Sequence, residues 1–181
     1  CEVIVDCPHS TAKFIPDGII CIDTNSFKGG EMNYHKLRYV SEETYLDRIN
    51  RLSPQAGDVI FAREGSVGES VIIPPGMQCC LGQRVMLFRS TKGVLSRYLQ
   101  LSVSNPLFLT TLLALHKGIG AKHVNVKDMR NALISLPPLA EQGRIVEKID
   151  RLMGMCDRLE ESIASGKDKQ TALLNALMSQ V

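Results

Sequence analysis

The sequence predicts an α+β protein: a small mixed β-sheet domain with short helices over residues 1–138, followed by a long C-terminal helix region over 139–181. Three observations carry this. Short apolar segments bounded by Gly, Pro or Asp recur through the first part, as strands of a half-buried sheet do. Capped helical stretches are interleaved with them without the regular βαβ rhythm of a nucleotide-binding fold. From Ile145 onward the apolar spacing settles into a heptad.

The strand candidates are Gly18–Asp23, Gly57–Ala62, Ser70–Ile73 and Arg84–Arg89. Between them "SEETYLDRINRL" reads as a helix, with Ser41 as N-cap and Glu42 and Glu43 against the positive end of its dipole. "NPLFLTTLLALHKG" reads as another: Asn105 caps it, Pro106 fits the first helical position, and Gly118 suits a left-handed close. "NVKDMRN", opening on Asn125, is a short third. Pro137 and Pro138 then stop the chain, since neither can join a ladder or a helix interior and each disfavours α conformation in the residue before it. Beyond them Ile145, Ile149, Leu152, Cys156, Leu159 and Ile163 follow in steps of four, three, four, three and four, a seam fit for helix pairing rather than for packing back on its own domain. Gly166 is expected to interrupt that helix before the second apolar stretch at Leu173, Leu174 and Leu177. From Leu139 to Gly166 is 28 residues, which at about 1.5 Å each reaches roughly 42 Å.

Composition sets bounds on function. With 181 residues, 44% hydrophobic and 22% charged, the chain suits a globular domain with an appendage. The stretch Leu99–Leu115 is too interrupted by polar residues to span a bilayer, and Glu2 and Asp6 do not suit a signal peptide, so no membrane association and a cytoplasmic location are expected. Because the chain opens on Cys1, it reads as a fragment. Its six cysteines are scattered and expected to be reduced, and Cys7-Pro8-His9, the nearest approach to a metal motif, lacks ligand spacing, so no metal is assigned. Net charge is +2, but residues 1–138 hold 15 Lys/Arg against 12 Asp/Glu, a net +3, and residues 139–181 hold 6 against 7, a net −1. The mild basic excess therefore lies in the first part, which permits a nucleic-acid partner without requiring one.

Enzyme motifs fail one by one. "SNPLF" at Ser104–Phe108 approaches the Asn-Pro-Pro-aromatic loop of amino-methyltransferases, but Leu107 replaces the second proline and a helix cap explains Asn105 and Pro106. "GIGAKH" lacks the third glycine of a dinucleotide loop, and "REGSVGES" lacks the lysine of a phosphate loop. What remains is a set of polar, glycine-bearing basic loops: Pro8–Lys13, Asn25–Lys36, Ala62–Glu69 and His116–Lys127. Such loops could let backbone amides and cations meet phosphates while polar tips reach base edges, or they could be plain solvated turns.

"DCPHST", "GDVIFAREGSVGE", "CLGQRVMLFR", "HVNVKDMRNALISLPPLAEQGRIVEKID" and "LMGMCDRLEESI", in that order over nearly the whole chain, resemble a specificity subunit of a type I restriction-modification system. The likeness is to one target-recognition domain (1–138) plus the helical conserved region after it (139–181), a half-subunit. The resemblance implies a non-catalytic reader of one half of a bipartite double-stranded DNA target. It implies docking to modification subunits that hold S-adenosylmethionine, with no cofactor in this chain, and to a restriction subunit in the full complex. It also implies an antiparallel coiled coil as spacer, here formed with a second copy or a second half-subunit. Arg63, Ser66, Arg84, Lys28, Lys36, Lys122 and His123 are the candidate DNA contacts, with His9, Ser10, Thr11 and Lys13 behind them. Arg63 and Arg84 have an alternative role as ion pairs at a sheet edge. The competing classes are a stand-alone adenine methyltransferase or nuclease, and a coiled-coil assembly module that reads nothing.

Overall fold

The computed structural model describes residues 1–114 and 123–178. The chain divides into two compact units, Cys1–Gln142 and Gly143–Val181.

The first unit is built on two four-stranded sheets. One has the order β1 (Val3–Asp6), β10 (Val85–Arg89), β7 (Val59–Ala62), β8 (Ser70–Ile72), antiparallel throughout. The other has the order β2 (Phe14–Ile15), β6 (Arg38–Val40), β3 (Ile19–Ile22), β9 (Cys79–Leu81), with β3 and β9 parallel. A hairpin of β4 (Phe27–Lys28) and β5 (Glu31–Met32) turns on Gly29 and Gly30, whose φ of +62° and +88° meet the demand of a two-residue turn for left-handed backbone. Among the described residues the helices are α1 (Glu42–Arg48), α2 (Ser96–Val103), α3 (Pro106–Ala114), α4 (Val126–Asn131) and α5 (Leu139–Met178), with one 3-10 turn at Tyr34–Lys36.

Burial explains why the central strands are apolar at every position. Along β7 and β10 successive side chains point to opposite faces. Ile60, Ala62, Val85 and Leu87 pack with Ile22, Phe27 and Leu81 in one core. Val59, Phe61, Met86 and Phe88 pack with Leu99, Val103, Leu112 and Met129, from the helices, in another. The sheet expected to be half-buried is therefore covered on both faces at its centre, with Phe61 and Phe88 meeting edge to face at 5.9 Å. A third, smaller core joins Cys21, Val40 and Cys80 to Tyr45 and Ile49, beside α1.

Ser41 caps α1: its Oγ accepts from Thr44 N at 3.3 Å. Ser41→Ala is expected to lower stability by about 1 kcal/mol, read as a small fall in the urea midpoint at unchanged slope. Asn105 starts α3 as expected, its Oδ1 accepting from Leu107 N at 2.8 Å. Asn125 precedes α4 but makes no side-chain cap bond. The Gly118 close and Lys122 lie outside the described residues.

All six cysteines are free; four are buried, while Cys1 and Cys156 are exposed. Burial pushes the Cys79 thiol up to about 12. Cys21 is raised chiefly by its hydrogen bond with Cys80, whose own value the same bond lowers.

The helix α5 corrects one expectation. It runs unbroken for 40 residues, through Gly166, and so extends about 60 Å. A single glycine costs a helix only about 1 kcal/mol, which good helix formers on both sides absorb. Its first turn belongs to the first unit: Gln142 is fully buried, its Oε1 accepts from Leu95 N and its Nε2 donates to the carbonyls of Gly93 and Pro137, each at 2.9 Å. The compact division falls between Gln142 and Gly143, within the first turns of the helix. Among the described residues, no helix is long and apolar enough to cross a membrane.

Candidate nucleic-acid interface

The antiparallel order of the first sheet brings four chain segments to one end of it: the exit of β1, the entry of β10, the exit of β7 and the entry of β8. Three backbone bonds carry the pairing beyond the strands. Cys7 N donates to Val85 O at 3.2 Å, Arg63 N to Arg84 O at 2.9 Å, and Val124 N to Arg63 O at 2.9 Å. Glu64 and His123 form an isolated antiparallel bridge beside them. Loops far apart in sequence are thereby held on rigid strands, which is how a recognition surface keeps its geometry.

A cleft of about 150 Å³ opens there, lined by His9, Arg63, Glu64, Gln83 and Arg84 together with Cys7 and Pro8. Its floor is ionic. Arg63 Nη1 donates to Asp6 Oδ2 at 2.6 Å and Nη2 to Glu64 Oε1 at 3.2 Å. On its rim Arg84 Nε stands 3.6 Å from Glu64 Oε2, and His9 Nε2 lies 3.5 Å from Asp6 Oδ2. Burial raises the Cys7 thiol, so it is not an activated nucleophile.

Two neighbours fix the approach to this cleft. Gly82 lies where the chain crosses between the sheets, and a Cβ there would stand 2.9 Å from Ile22 O and 2.7 Å from Asp23 Cβ. Arg84 follows with φ +63°, left-handed backbone that a side chain other than glycine seldom adopts. On the other side, buried Arg48 donates to Leu81 O at 2.7 Å and Ser10 O at 3.2 Å, which pins the loop after β1. Gln83 Nε2 donates to His9 O at 3.3 Å in the same loop.

Of the residues expected to touch DNA, His9, Arg63, Arg84 and His123 come together at this end of the sheet. Ser66 is exposed on the loop leaving β7, and Lys28 is exposed at the β4–β5 hairpin, whose Gly29 N donates to Glu69 Oε2 at 2.6 Å. Ser10, Thr11 and Lys13 are exposed on the loop after β1, and Lys36 on the 3-10 turn, beyond the lining of the cleft. Arg63 has a side chain 13% exposed and pairs with Asp6, the geometry of the alternative named for it at the sheet edge. Arg84, at 62% exposed, keeps its guanidinium at the surface. Sequence reasoning missed Asp6, Glu64 and Gln83; the acid beside each quoted basic motif was visible, but its partner across the fold was not.

A larger concavity of about 530 Å³ lies among Tyr98, Asn105, Leu107, Phe108, Leu133 and Ile134. Among the described residues no Lys or Arg lines it, so they do not make it suit a polyanion. The fold and the polar sheet end define the class: a two-sheet domain that gathers loops at one sheet end and runs on into a long helix. Residues 20–165 match the family model described as the type I restriction modification DNA specificity domain, and the chain belongs to that family.

Relatives agree. The chain is 25% identical over 167 residues to the specificity subunit of the Escherichia coli type I restriction enzyme EcoBI, covering 92% of this chain and 35% of that protein. It is 24% identical over 164 residues to the EcoKI specificity subunit of Escherichia coli strain K12, covering 86% and 35%. The chain thus spans about a third of the length of these relatives. Among solved structures, a chain from work on complex assembly and conformational transition of the type I R-M system superposes with a TM-score of 0.69 at 22% identity, over 94% of this chain and 40% of that one. The HsdS subunit from Thermoanaerobacter tengcongensis gives 0.64 at 18% identity, over 95% and 45%. At these identities the structures speak for the fold.

Proposed function

We propose that this chain is a non-catalytic DNA reader, the half of a type I specificity subunit that recognises one half of a bipartite double-stranded target. The observation that carries it is the convergence, at one end of a rigid sheet, of loops bearing His9, Ser66, Arg84 and His123, with Lys28 tethered alongside. Strands fix the loops, cations approach phosphates, and polar tips reach base edges. The chain itself takes no cofactor in this reading; S-adenosylmethionine belongs to the modification subunits it docks, and a restriction subunit completes the assembly in the cytoplasm.

The helix α5 is the spacer. Leu152, Leu159 and Ile163 are 47%, 62% and 59% exposed, an apolar seam awaiting another helix. Pairing with a second copy, or with a second half-subunit, forms an antiparallel coiled coil and sets two readers on one duplex. One turn of B-DNA is about 34–36 Å, within reach of a helix of this length. Two copies read a palindromic composite target.

Salt-dependent binding to target duplex tests the reading. Lys28→Ala and Lys122→Ala are each expected to weaken binding on every sequence and to lower the slope of log K against log salt by about 1. Unchanged affinity and slope in both would reject these contacts. Methyl transfer from labelled S-adenosylmethionine to DNA by the isolated chain would sink the non-catalytic reading.

A further inference from the structure

The residues on the rim of the cleft form more than a cationic edge. Arg84 and Glu64 stand side by side, 3.6 Å apart, with side chains 62% and 37% exposed. Glu64 is anchored from behind by Arg63, which Asp6 holds in turn. Arg84 is anchored through its backbone: its carbonyl accepts from Arg63 N, and its left-handed φ of +63° turns the chain between Gln83 and β10. A non-glycine residue kept in that conformation at a binding edge marks a position whose side chain matters more than its backbone comfort.

Resting on the DNA-reading proposal, we infer that Arg84 and Glu64 together read a single G·C base pair in the major groove. The edge of that pair presents two acceptors, guanine N7 and O6, followed by a donor, cytosine N4. A guanidinium offers two donors in a fixed fork, and a carboxylate offers only acceptors. Arg84 beside Glu64 therefore presents donor, donor, acceptor, the complement of G·C read in that order. The order is reversed for C·G, and A·T and T·A offer a donor or a methyl group where the pair needs an acceptor. Glu64 has a second role, since a half-exposed arginine with a carboxylate neighbour is pre-oriented for a bidentate contact and less drawn to phosphate alone.

The test is selection of binding sites from randomised duplex DNA by the full chain assembled with modification subunits. Wild type is compared with Arg84→Ala, Arg84→Gly and Glu64→Gln; glycine relieves the left-handed backbone and so guards against loss of fold. The expected result is a G·C pair in the wild-type consensus whose preference falls roughly 10- to 100-fold in both Arg84 variants. Glu64→Gln should relax the same base pair and leave the others intact. Variants that relax different positions, or that weaken all sequences equally with a lower salt slope, overturn the paired reading and leave DNA reading standing. A wild-type assembly that selects no consensus overturns DNA reading itself.

Discussion

Replacing Ile149 and Leu152 together with Asp is expected to leave the first unit folded and to abolish pairing through α5. Leu152 is 47% exposed in the single chain and Ile149 is half-buried, so neither belongs to the cores of the first unit. In a paired helix each would lose about 1.5–3 kcal/mol of apolar burial and gain a carboxylate that must be desolvated. A symmetric pair carries both changes twice, which exceeds what a seam of six residues can offset. Sedimentation velocity should report a monomer, with circular dichroism of the folded domain retained. Cys156 supplies a second readout: it lies in the seam and is exposed in the single chain, so it should resist alkylation in the pair and react in the variant. A variant that sediments and protects Cys156 as wild type does would place the seam elsewhere. A wild-type chain already monomeric would point to a separate half-subunit as the partner.

Gln142→Leu is the second large effect, this time on stability. The substitution keeps volume and helix propensity but strands three backbone groups, the N–H of Leu95 and the carbonyls of Gly93 and Pro137. Each orphaned group costs about 1 kcal/mol or more, so the first unit should lose about 3–4 kcal/mol. For a domain of this size that is a fall of roughly 5–15 °C in melting temperature by calorimetry. A change below about 2 °C would mean that water replaces these bonds without loss. The glutamine is the feature that gives the "LPPLAEQ" stretch its structural meaning. The prolines hold the chain extended, Pro138 O accepts from Glu141 N and Gln142 N to start the helix, and the Gln142 side chain locks that first turn onto the segment before α2.

What was legible in the sequence were the elements with strong local signals. The strands at Ile19–Ile22, Val59–Ala62, Ser70–Ile72 and Val85–Arg89 are runs of apolar residues between turn formers. The helices α1 and α3 carry their own cap at Ser41 and Asn105. In contrast, α2 went unread because Leu95 precedes it without a side-chain cap, and its anchor, Gln142, arrives 47 residues later. The strand β1 went unread because all four residues are only half-buried and owe their pairing to β10, 80 or more positions away.

The candidate site divides in the same way. Which loops carry cations was open to inspection, as was the resemblance that joins them to a family. That Arg63 is mostly enclosed and paired with Asp6 while Arg84 stands at the surface was not, because the two arginines stand in similar sequence settings beside strands. Their difference lies in Asp6, which reaches Arg63 from 57 residues away and leaves Arg84 to the rim.

By itself, then, the sequence determined the class of fold, the stop at Pro137 and Pro138, the heptad seam and the family, since each is written in local periodicity, capping chemistry or an ordered set of motifs. Only the tertiary structure decided which charges are consumed inside the protein, how far α5 runs and which carboxylate stands beside which arginine. Those depend on long-range strand pairing and on burial, and a charge's availability is set by the partner the fold brings within hydrogen-bonding distance.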